Sequence, residues 1–315
     1  MAGLKCSALS EMDKWACRTL RKNRPHWDVL EGDIRDIDFK QYRNKIDVVT
    51  GGFPCQSFSK AGKRLGLADP RGMLFYEFAR AVDEVQPIIF VGENVRGLAS
   101  HDEGKTLRHM LSVLEGIGYE VSVQLLNSLD YNVPQKRERL IIVGTRKDAA
   151  LKYEYPKPCG QAYCLNDALR KGELFDADVP ISTGTNYSQR KKEILDFMPP
   201  KGRWKDLPLH AQKSLMGKDL YIGGGKTGMA RRIGWDEPCP TLLCSPIQNR
   251  MERCHPDETR PFTVREYARI QTFPDAWEFE GGMVQQYKQI GNAVPVNFAK
   301  EIGYSLVRLL KGIST

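Results

Sequence analysis

Three short segments place reactive side chains next to apolar runs that are typical of buried strands. Cys55 follows the run IDVV in GGFPCQSFS, Glu93 follows PIIFV in GENV, and the basic segment QKRER precedes RLIIV. In a doubly wound sheet, ligands bind in the crevice beyond the carboxyl ends of the strands. The segments therefore indicate a site that combines a thiol, a carboxylic acid and guanidinium groups.

The loop around Cys55 favours a reactive thiol. A cysteine is intrinsically nucleophilic, and a nearby positive charge or helix N-terminus raises its thiolate fraction. Gly51 and Gly52 permit unusual backbone angles and Pro54 fixes the approach of the chain, which favours presentation of the thiol over burial of an inert one. A cysteine hydrolase is the competing reading, but none of the five histidines has an obvious catalytic setting.

Glu93 stands at the edge of an apolar run, where a carboxylic acid is suited to donating a proton or a hydrogen bond. A capping or salt-bridged glutamate is the alternative for this position.

The elements that must hold these residues alternate between strands and helices. After the strand IDVV, the periodicity predicts the helices 72–85 and 106–117 and the strands 87–92, 119–127 and 139–145. This alternation predicts a doubly wound α/β domain. After about residue 150, proline, glycine and basic residues indicate a smaller loop-rich domain, before helical spacing returns at 263–271 and 296–310.

Composition limits the class of protein. The 315 residues carry a formal net charge of +8 and a pI near 9.0, which suits a polyanionic partner. No apolar run is long enough to cross a bilayer and no leader is visible, so we expect a cytoplasmic protein with no membrane partner. The eight cysteines are expected to be reduced, and the spacing of Cys159/Cys164 and Cys239/Cys244 does not match a standard zinc finger, so no metal is predicted.

Five motifs in order resemble the DNA cytosine-5 methyltransferases of bacterial restriction–modification systems. They are PCQ at 54–56, ENV at 93–95, QKRER at 135–139, RPFTVREYARIQTFP at 260–274 and QIGNAVPVN at 289–297. The resemblance covers nearly the whole chain except a variable middle. It implies a Rossmann-like S-adenosylmethionine-dependent methyltransferase sheet in residues 1–154, a target-recognition domain in 155–272 and a C-terminal segment, 273–315, that returns to the catalytic domain.

The resemblance also implies a mechanism. Cys55 would attack carbon 6 of a cytosine that has been swung out of double-stranded DNA, and Glu93 would hold and protonate ring nitrogen 3. Carbon 5 would then take the methyl group of S-adenosylmethionine. Arg137 and Arg139 match the basic pair of the catalytic pocket, where guanidinium groups can orient the base or anchor a phosphate.

The cofactor and DNA contacts carry over in the same way. Glu11 matches the acid that bonds the ribose hydroxyls, and Asp33 matches the residue that bonds the adenine amino group. The remaining implied cofactor contacts are Met12, Ile34, Pro54, Leu74, Asn292 and Val294. The implied DNA contacts are Gln56 and Ser59 of the cysteine loop and Arg231 and Arg232 of the recognition domain.

One family motif has no counterpart in this sequence. The first strand and its glycine-rich turn, which would precede Glu11, are missing, and a central strand leaves unpaired backbone on both neighbours when it is absent. Three explanations are a chain that starts within a longer protein, a second polypeptide that supplies the strand, and a decayed copy. Each predicts weak or no activity for this chain alone.

Two further functions remain open from the sequence, an RNA cytosine-5 methyltransferase and a non-catalytic DNA-binding protein.

Two local patterns resemble functional sites but are not assigned as such. YIGGGKTGMA at 221–230 resembles a phosphate loop, but Leu220 stands where the first glycine is required. His255 lacks partners at metal-binding spacing, so we expect a loop histidine on the DNA side or a solvated one.

Overall fold

A computed structural model describes residues 2–54, 73–221 and 229–312 of the chain. Its helices are α1 (Lys14–Asn23), α2 (Met73–Val85), α3 (Lys105–Gly116), α4 (Leu165–Leu169), α5 (Gln189–Leu195), α6 (Leu209–Met216), α7 (Val264–Ile270), α8 (Met283–Asn292) and α9 (Val296–Lys311). Its strands are β1 (Leu9–Glu11), β2 (Val29–Glu31), β3 (Val48–Gly52), β4 (Ile89–Val95), β5 (Tyr119–Asn127), β6 (Gln135–Lys136), β7 (Glu138–Arg146), β8 (Arg231–Arg232), β9 (Cys239–Pro240) and β10 (Arg253–Cys254). Within these residues, no helix is both long and apolar enough to cross a membrane.

The principal sheet has four strands in the order β3-β4-β7-β5. β3 and β4 run parallel and are joined through α2, whereas β7 is antiparallel to both of its neighbours. The short connection from β5 to β7 has no room for a crossover helix, which explains why that pair is antiparallel. The predicted α/β architecture is confirmed, and the sheet is mixed.

The predicted elements lie close to their observed bounds. β5 occupies the predicted residues 119–127, and α2, α3 and α9 each begin and end within one or two residues of the prediction. On α9, the predicted apolar face of Phe298, Ile302 and Leu306 packs against Ile89 and Ile141 of the sheet. The last helix thus packs on the principal sheet, which is called the catalytic sheet below after its predicted role.

The other face of the sheet packs on a group of phenylalanine rings. Phe78 lies 5.3 Å from Phe53 and 5.8 Å from Phe90 between ring centroids, and all three rings are buried. A Cβ atom added to Gly51 would lie 2.5 Å from Phe78 Cδ2. Gly51 is part of β3, with no positive φ, so the structure explains this glycine by the nearby ring and not by the unusual backbone angles that we had expected.

The middle of the chain forms two apolar clusters. One contains α4, α7 and residues of α8, including Tyr287 and Ile290, and the other contains α5 and α6 around Trp204. Residues 155–272, the predicted target-recognition domain, are called the recognition segment below. α8 shares a core with this segment, while α9 packs on the catalytic sheet. The boundaries at 154/155 and 272/273 remain predictions.

The first residues form a small parallel pair, β1-β2, that is separate from the principal sheet. Arg80 of α2 holds this unit by donating to the main-chain oxygen of Ile34 at 2.7 Å, and Lys288 of α8 pairs with Asp13 at 2.8 Å. Among the described residues, β1 pairs only with β2 and β3 pairs only with β4. Each therefore keeps one free edge.

Candidate active site

The predicted nucleophile, Cys55, lies outside the described residues, as do Gln56 and Ser59 of the same loop. The structure does show the strand that leads to them. β3 ends at Gly52, and Phe53 and the exposed Pro54 follow it. The neighbours of this strand end are the described part of the candidate site.

Glu93 lies directly beside the end of β3. Its Cα is the register partner of Gly52, and a Cβ atom on Gly52 would lie 3.5 Å from Glu93 Oε2. Glu93 Oε1 pairs with Nε of Arg139 at 2.6 Å, and the two side chains are 23% and 11% exposed. Burial lowers the pKa of Arg139 and Glu93 opposes this shift, so a largely buried ion pair stands beside the end of β3.

Asn94 fixes the exit from β3. Its side chain is 3% exposed, and Nδ2 donates to the main-chain oxygen of Phe53 at 2.8 Å. Oδ1 accepts from the main-chain nitrogen of Val95 at 2.9 Å. The sequence motif ENV was identified from its glutamate, but its asparagine is the residue that ties the two strand ends together.

The role of Arg137 in the catalytic pocket stays a prediction, and the structure shows its contacts within the protein. Its side chain is buried, and its two terminal nitrogens donate to the main-chain oxygens of Leu242 at 3.2 Å and Gly291 at 2.9 Å. Burial, followed by the charge of Arg139, lowers the pKa of Arg137 to about 10, so it stays charged at neutral pH. In this structure Arg137 joins the catalytic sheet to the recognition segment and α8, and only Arg139 of the basic pair contacts Glu93.

Two buried glutamines extend this junction. Gln135 Nε2 donates to Gln271 Oε1 at 2.8 Å, and Gln135 Oε1 accepts from the main-chain nitrogen of Leu242 at 3.1 Å. Gln271 Nε2 donates to the main-chain oxygens of Ile290 at 2.7 Å and Ala293 at 3.1 Å. Both glutamines belong to motifs that the sequence analysis identified, but neither was assigned a role. For Gln271, the available signal was a polar residue in the apolar spacing of the predicted helix 263–271.

The predicted adenine and ribose contacts gather at the carboxyl ends of β1 and β2. Glu11 ends β1, and Met12 next to it is 70% exposed. Asp33 follows β2 and caps the short helical turn that begins at Ile34. Hydrogen bonds from Arg35 lower the pKa of Asp33 to about 2, so its carboxylate is charged at neutral pH.

The remaining predicted cofactor residues are more dispersed. Leu74 is half-buried in the first turn of α2, and Val294 packs with the sheet cluster below α9. Asn292 ends α8, and its side-chain oxygen lies 2.9 Å from Cys244 Sγ of the recognition segment. No described contact joins this group directly to Glu11 or Asp33.

The two predicted DNA arginines differ. Arg231 is 23% exposed and pairs with Glu237 at 3.0 Å. Arg232 is 6% exposed and donates to the main-chain oxygens of Met198, Leu195 and His255 and to Thr259. Its donors are therefore used inside the recognition segment, and the DNA contact of Arg232 stays a prediction.

His255 is also placed differently. It is 6% exposed between the rings of Trp235 and Phe262, and so it is neither solvated nor on a free loop surface. Among the described residues, no group of three or more histidine, cysteine or acidic side chains could hold a metal ion.

The comparisons with known proteins agree with the resemblance. Residues 1–308 match the family model of the C-5 cytosine-specific DNA methylases. The chain is 57% identical to the type II methyltransferase M.Eco47II of Escherichia coli, over 99% of this chain and 76% of that protein. It is 55% identical to the type II methyltransferase M.PspPI of a Psychrobacter species, over 98% of this chain and 75% of that protein.

A solved structure shows the same fold. A prophage-encoded E. coli protein assigned to the DNA modification methyltransferases superposes with a TM-score of 0.70 at 23% identity, over 98% of this chain and 94% of that one. Because the family model covers nearly all of the sequence, a DNA methyltransferase is favoured over an RNA cytosine-5 methyltransferase and over a non-catalytic DNA-binding protein. The chain belongs to the C-5 cytosine-specific DNA methylases, and it is a DNA cytosine-5 methyltransferase of the restriction–modification type.

Proposed function

We propose that the chain methylates a cytosine that is flipped out of duplex DNA, through a transient bond between Cys55 and carbon 6. The observation that carries the proposal is the Glu93–Arg139 ion pair, 2.6 Å long, at the end of the strand next to the one that leads into Cys55. A carbon inside a stacked duplex is out of reach of a thiolate, which is why the base must leave the stack.

Each residue near β3 has a defined part in the reaction. The Cys55 thiolate adds to carbon 6 while Glu93, in its protonated form, holds the ring edge and gives a proton to nitrogen 3, and carbon 5 then takes the methyl group. Loss of the carbon 5 hydrogen as a proton to solvent breaks the bond between carbon 6 and Cys55, and nitrogen 3 returns its proton to Glu93. Arg139 holds Glu93 in place through its Nε. Asn94 fixes the carbonyl of Phe53 and thereby the direction in which the loop leaves the strand.

The residues at the ends of β1 and β2 fit S-adenosylmethionine. Glu11 and Asp33 offer carboxylate acceptors for ribose hydroxyls and an adenine amino group, and the exposed Met12 offers an apolar surface for a ring. Ile34 adds apolar surface next to Asp33, on the turn that Arg80 holds in place. When bound, this cofactor supplies the methyl group.

The test is transfer of a labelled methyl group from S-adenosylmethionine to mixed-sequence duplex DNA. Cys55→Ser should abolish transfer, and Glu93→Gln should reduce it by about 10²- to 10⁴-fold, the usual contribution of a positioned acid or base. Unfolding curves of both variants check that the fold is kept. Transfer by Cys55→Ser at the wild-type rate would refute the covalent mechanism.

The free edges of β1 and β3 support the predicted missing strand. We propose that a further strand, from upstream sequence or from a second polypeptide, pairs with these edges, because unpaired backbone in a sheet interior is unfavourable. The labelled-methyl assay should therefore give more transfer from a chain extended by its upstream codons than from these 315 residues alone. Equal transfer by both would contradict the need for an added strand.

A further inference from the structure

Residues 242–244 of the recognition segment form a loop that is held from outside at its first two positions. At the first position, the main-chain nitrogen donates to Gln135 Oε1 at 3.1 Å and the oxygen accepts from Arg137 Nη1 at 3.2 Å. At the second position, the hydroxyl of Tyr267 accepts from the main-chain nitrogen at 3.2 Å and donates to the oxygen at 3.0 Å. Because all four main-chain groups have side-chain partners, the course of the loop is fixed.

The 242–244 loop lies directly against the end of α8. A Cβ atom added to Gly291 would lie 2.4 Å from the main-chain oxygen of Leu243 and 2.8 Å from Cys244 Cα. Backbone atoms cannot give way at such distances, so only a glycine allows this approach. At the same point the Cys244 thiol donates to Oδ1 of Asn292, the last residue of α8, over 2.9 Å. The third residue of the loop therefore bonds to a predicted cofactor residue.

The face of α8 that carries Asn292 also contacts the other group of predicted cofactor residues. Lys288 lies four residues before Asn292 and so on the same helix face. Its Nζ pairs with Asp13 at 2.8 Å, and the main-chain nitrogen of Asp13 donates to Glu11 Oε1 at 2.8 Å. The hydrogen bond to Asp13 raises the pKa of Lys288, and the charges of Glu11 and Cys244 add to this rise. Cys244 therefore lies near both groups of predicted cofactor residues.

A thiol donor at Oδ1 sets the orientation of the Asn292 amide. An amide has an oxygen that accepts and a nitrogen that donates, whereas a thiol sulfur is only a weak acceptor. Turning the amide over would place Nδ2 against that sulfur, so the observed orientation is favoured. Nδ2 then remains as a donor, and within the described part of the chain it has no hydrogen-bond partner. S-adenosylmethionine carries acceptors that suit this donor, among them its carboxylate.

We propose that Cys244 is a positioning residue for the cofactor: through the 242–244 loop, the recognition segment orients Asn292 so that Nδ2 donates to an acceptor of S-adenosylmethionine. This inference rests on the proposed function for its cofactor. The recognition segment thus contributes to cofactor binding, although none of the predicted cofactor contacts lies in residues 155–272.

The test is calorimetric titration with S-adenosylhomocysteine, the product that the cofactor becomes, of these 315 residues and of the chain extended by its upstream codons. Cys244→Ala should weaken binding by about 2- to 10-fold, the contribution of one neutral hydrogen bond. Cys244→Ser keeps an O–H donor and should bind as the wild type does. The matched control is Cys159→Ala, because Cys159 is also exposed, and its affinity should be unchanged. Equal binding by Cys244→Ala and the wild type, or an equal loss in the serine and alanine variants, would overturn the inference.

A second arm separates positioning from a general structural effect. In an Asn292→Ala background, Cys244→Ala should weaken binding no further, because the amide that the thiol orients is gone. A structural effect would weaken binding by the same factor in both backgrounds, so additive losses would also overturn the inference. Thermal unfolding checks that each variant is folded. If neither form of the wild type bound S-adenosylhomocysteine, the proposed cofactor site would fail and the inference with it, whereas a wild type that binds beside an unaffected Cys244→Ala overturns the positioning role alone.

Discussion

Replacing Asn94 tests whether the end of β4 positions the cysteine loop. Asn94→Ala removes the donor to the Phe53 oxygen, which is 2.8 Å away in a buried setting. An unsatisfied buried carbonyl costs about 1–3 kcal/mol of unfolding free energy. Phe53 lies two residues before Cys55, and an error of about 1 Å in the position of a reacting group can cost roughly 10²-fold in rate.

We therefore expect Asn94→Ala to lose about 1–3 kcal/mol in urea unfolding and about 10²-fold in kcat, with DNA affinity kept. The matched control is Asn166→Ala, because Asn166 is exposed on α4. An unchanged kcat would refute this positioning role.

Asn94→Asp sharpens the test, because a carboxylate oxygen would face the Phe53 oxygen and only the protonated acid could donate to it. This raises the pKa of the new acid in the folded state above its unfolded value of about 3.9. The hydrogen bond from the protonated acid therefore stabilises the folded state at low pH, and this stabilisation is lost as the pH rises through the folded-state pKa. The stability deficit of Asn94→Asp should be larger at pH 8 than at pH 5, and a deficit independent of pH would contradict the contact.

Further substitutions test the packing of buried groups and the pH dependence of stability. Gly51→Ala should destabilise the protein by about 1–3 kcal/mol because its Cβ meets the Phe78 ring, and Phe78→Leu in the same chain should recover part of the loss; strictly additive losses would show that the ring is not the cause. Arg232→Ala leaves the buried main-chain oxygens of Met198 and His255 without their donor and should cost at least about 2 kcal/mol in urea unfolding; unchanged stability would show that these contacts do not support the fold. Burial lowers the pKa of His255 from 6.5, so the unfolded chain takes up the proton first and stability falls as the pH drops below about 6.5. His255→Gln should reduce the slope of unfolding free energy against pH below about pH 6.5. An unaltered slope would show that other groups cause the loss of stability.

The sequence predicted the periodic elements well because helical and strand periodicity are local properties. α2, β5 and α9 follow directly from the spacing of apolar residues, whereas the strand predicted at 87–92 continues to Val95 and includes Glu93. Local patterns do not reveal distant partners. Arg137 bonds to main-chain oxygens at residues 242 and 291, each more than 100 positions away, and no side-chain pattern marks a main-chain oxygen as an acceptor.

The sheet shows the same limit. β7 has the same kind of apolar sequence as β4, so its antiparallel direction comes from the short connection that precedes it and not from its residues. The role of Gly51 was likewise hidden, because the ring that excludes a side chain there belongs to α2.

The amides of Gln135 and Gln271 make a chain of hydrogen bonds whose polarity is fixed at both ends. It starts at the main-chain nitrogen of Leu242, which can only donate, and finishes at the main-chain oxygens of Ile290 and Ala293, which can only accept. A glutamate at either position would face an acceptor where the chain needs a donor. In evolution, neither position should therefore change alone, and related sequences should replace the two glutamines together or keep both.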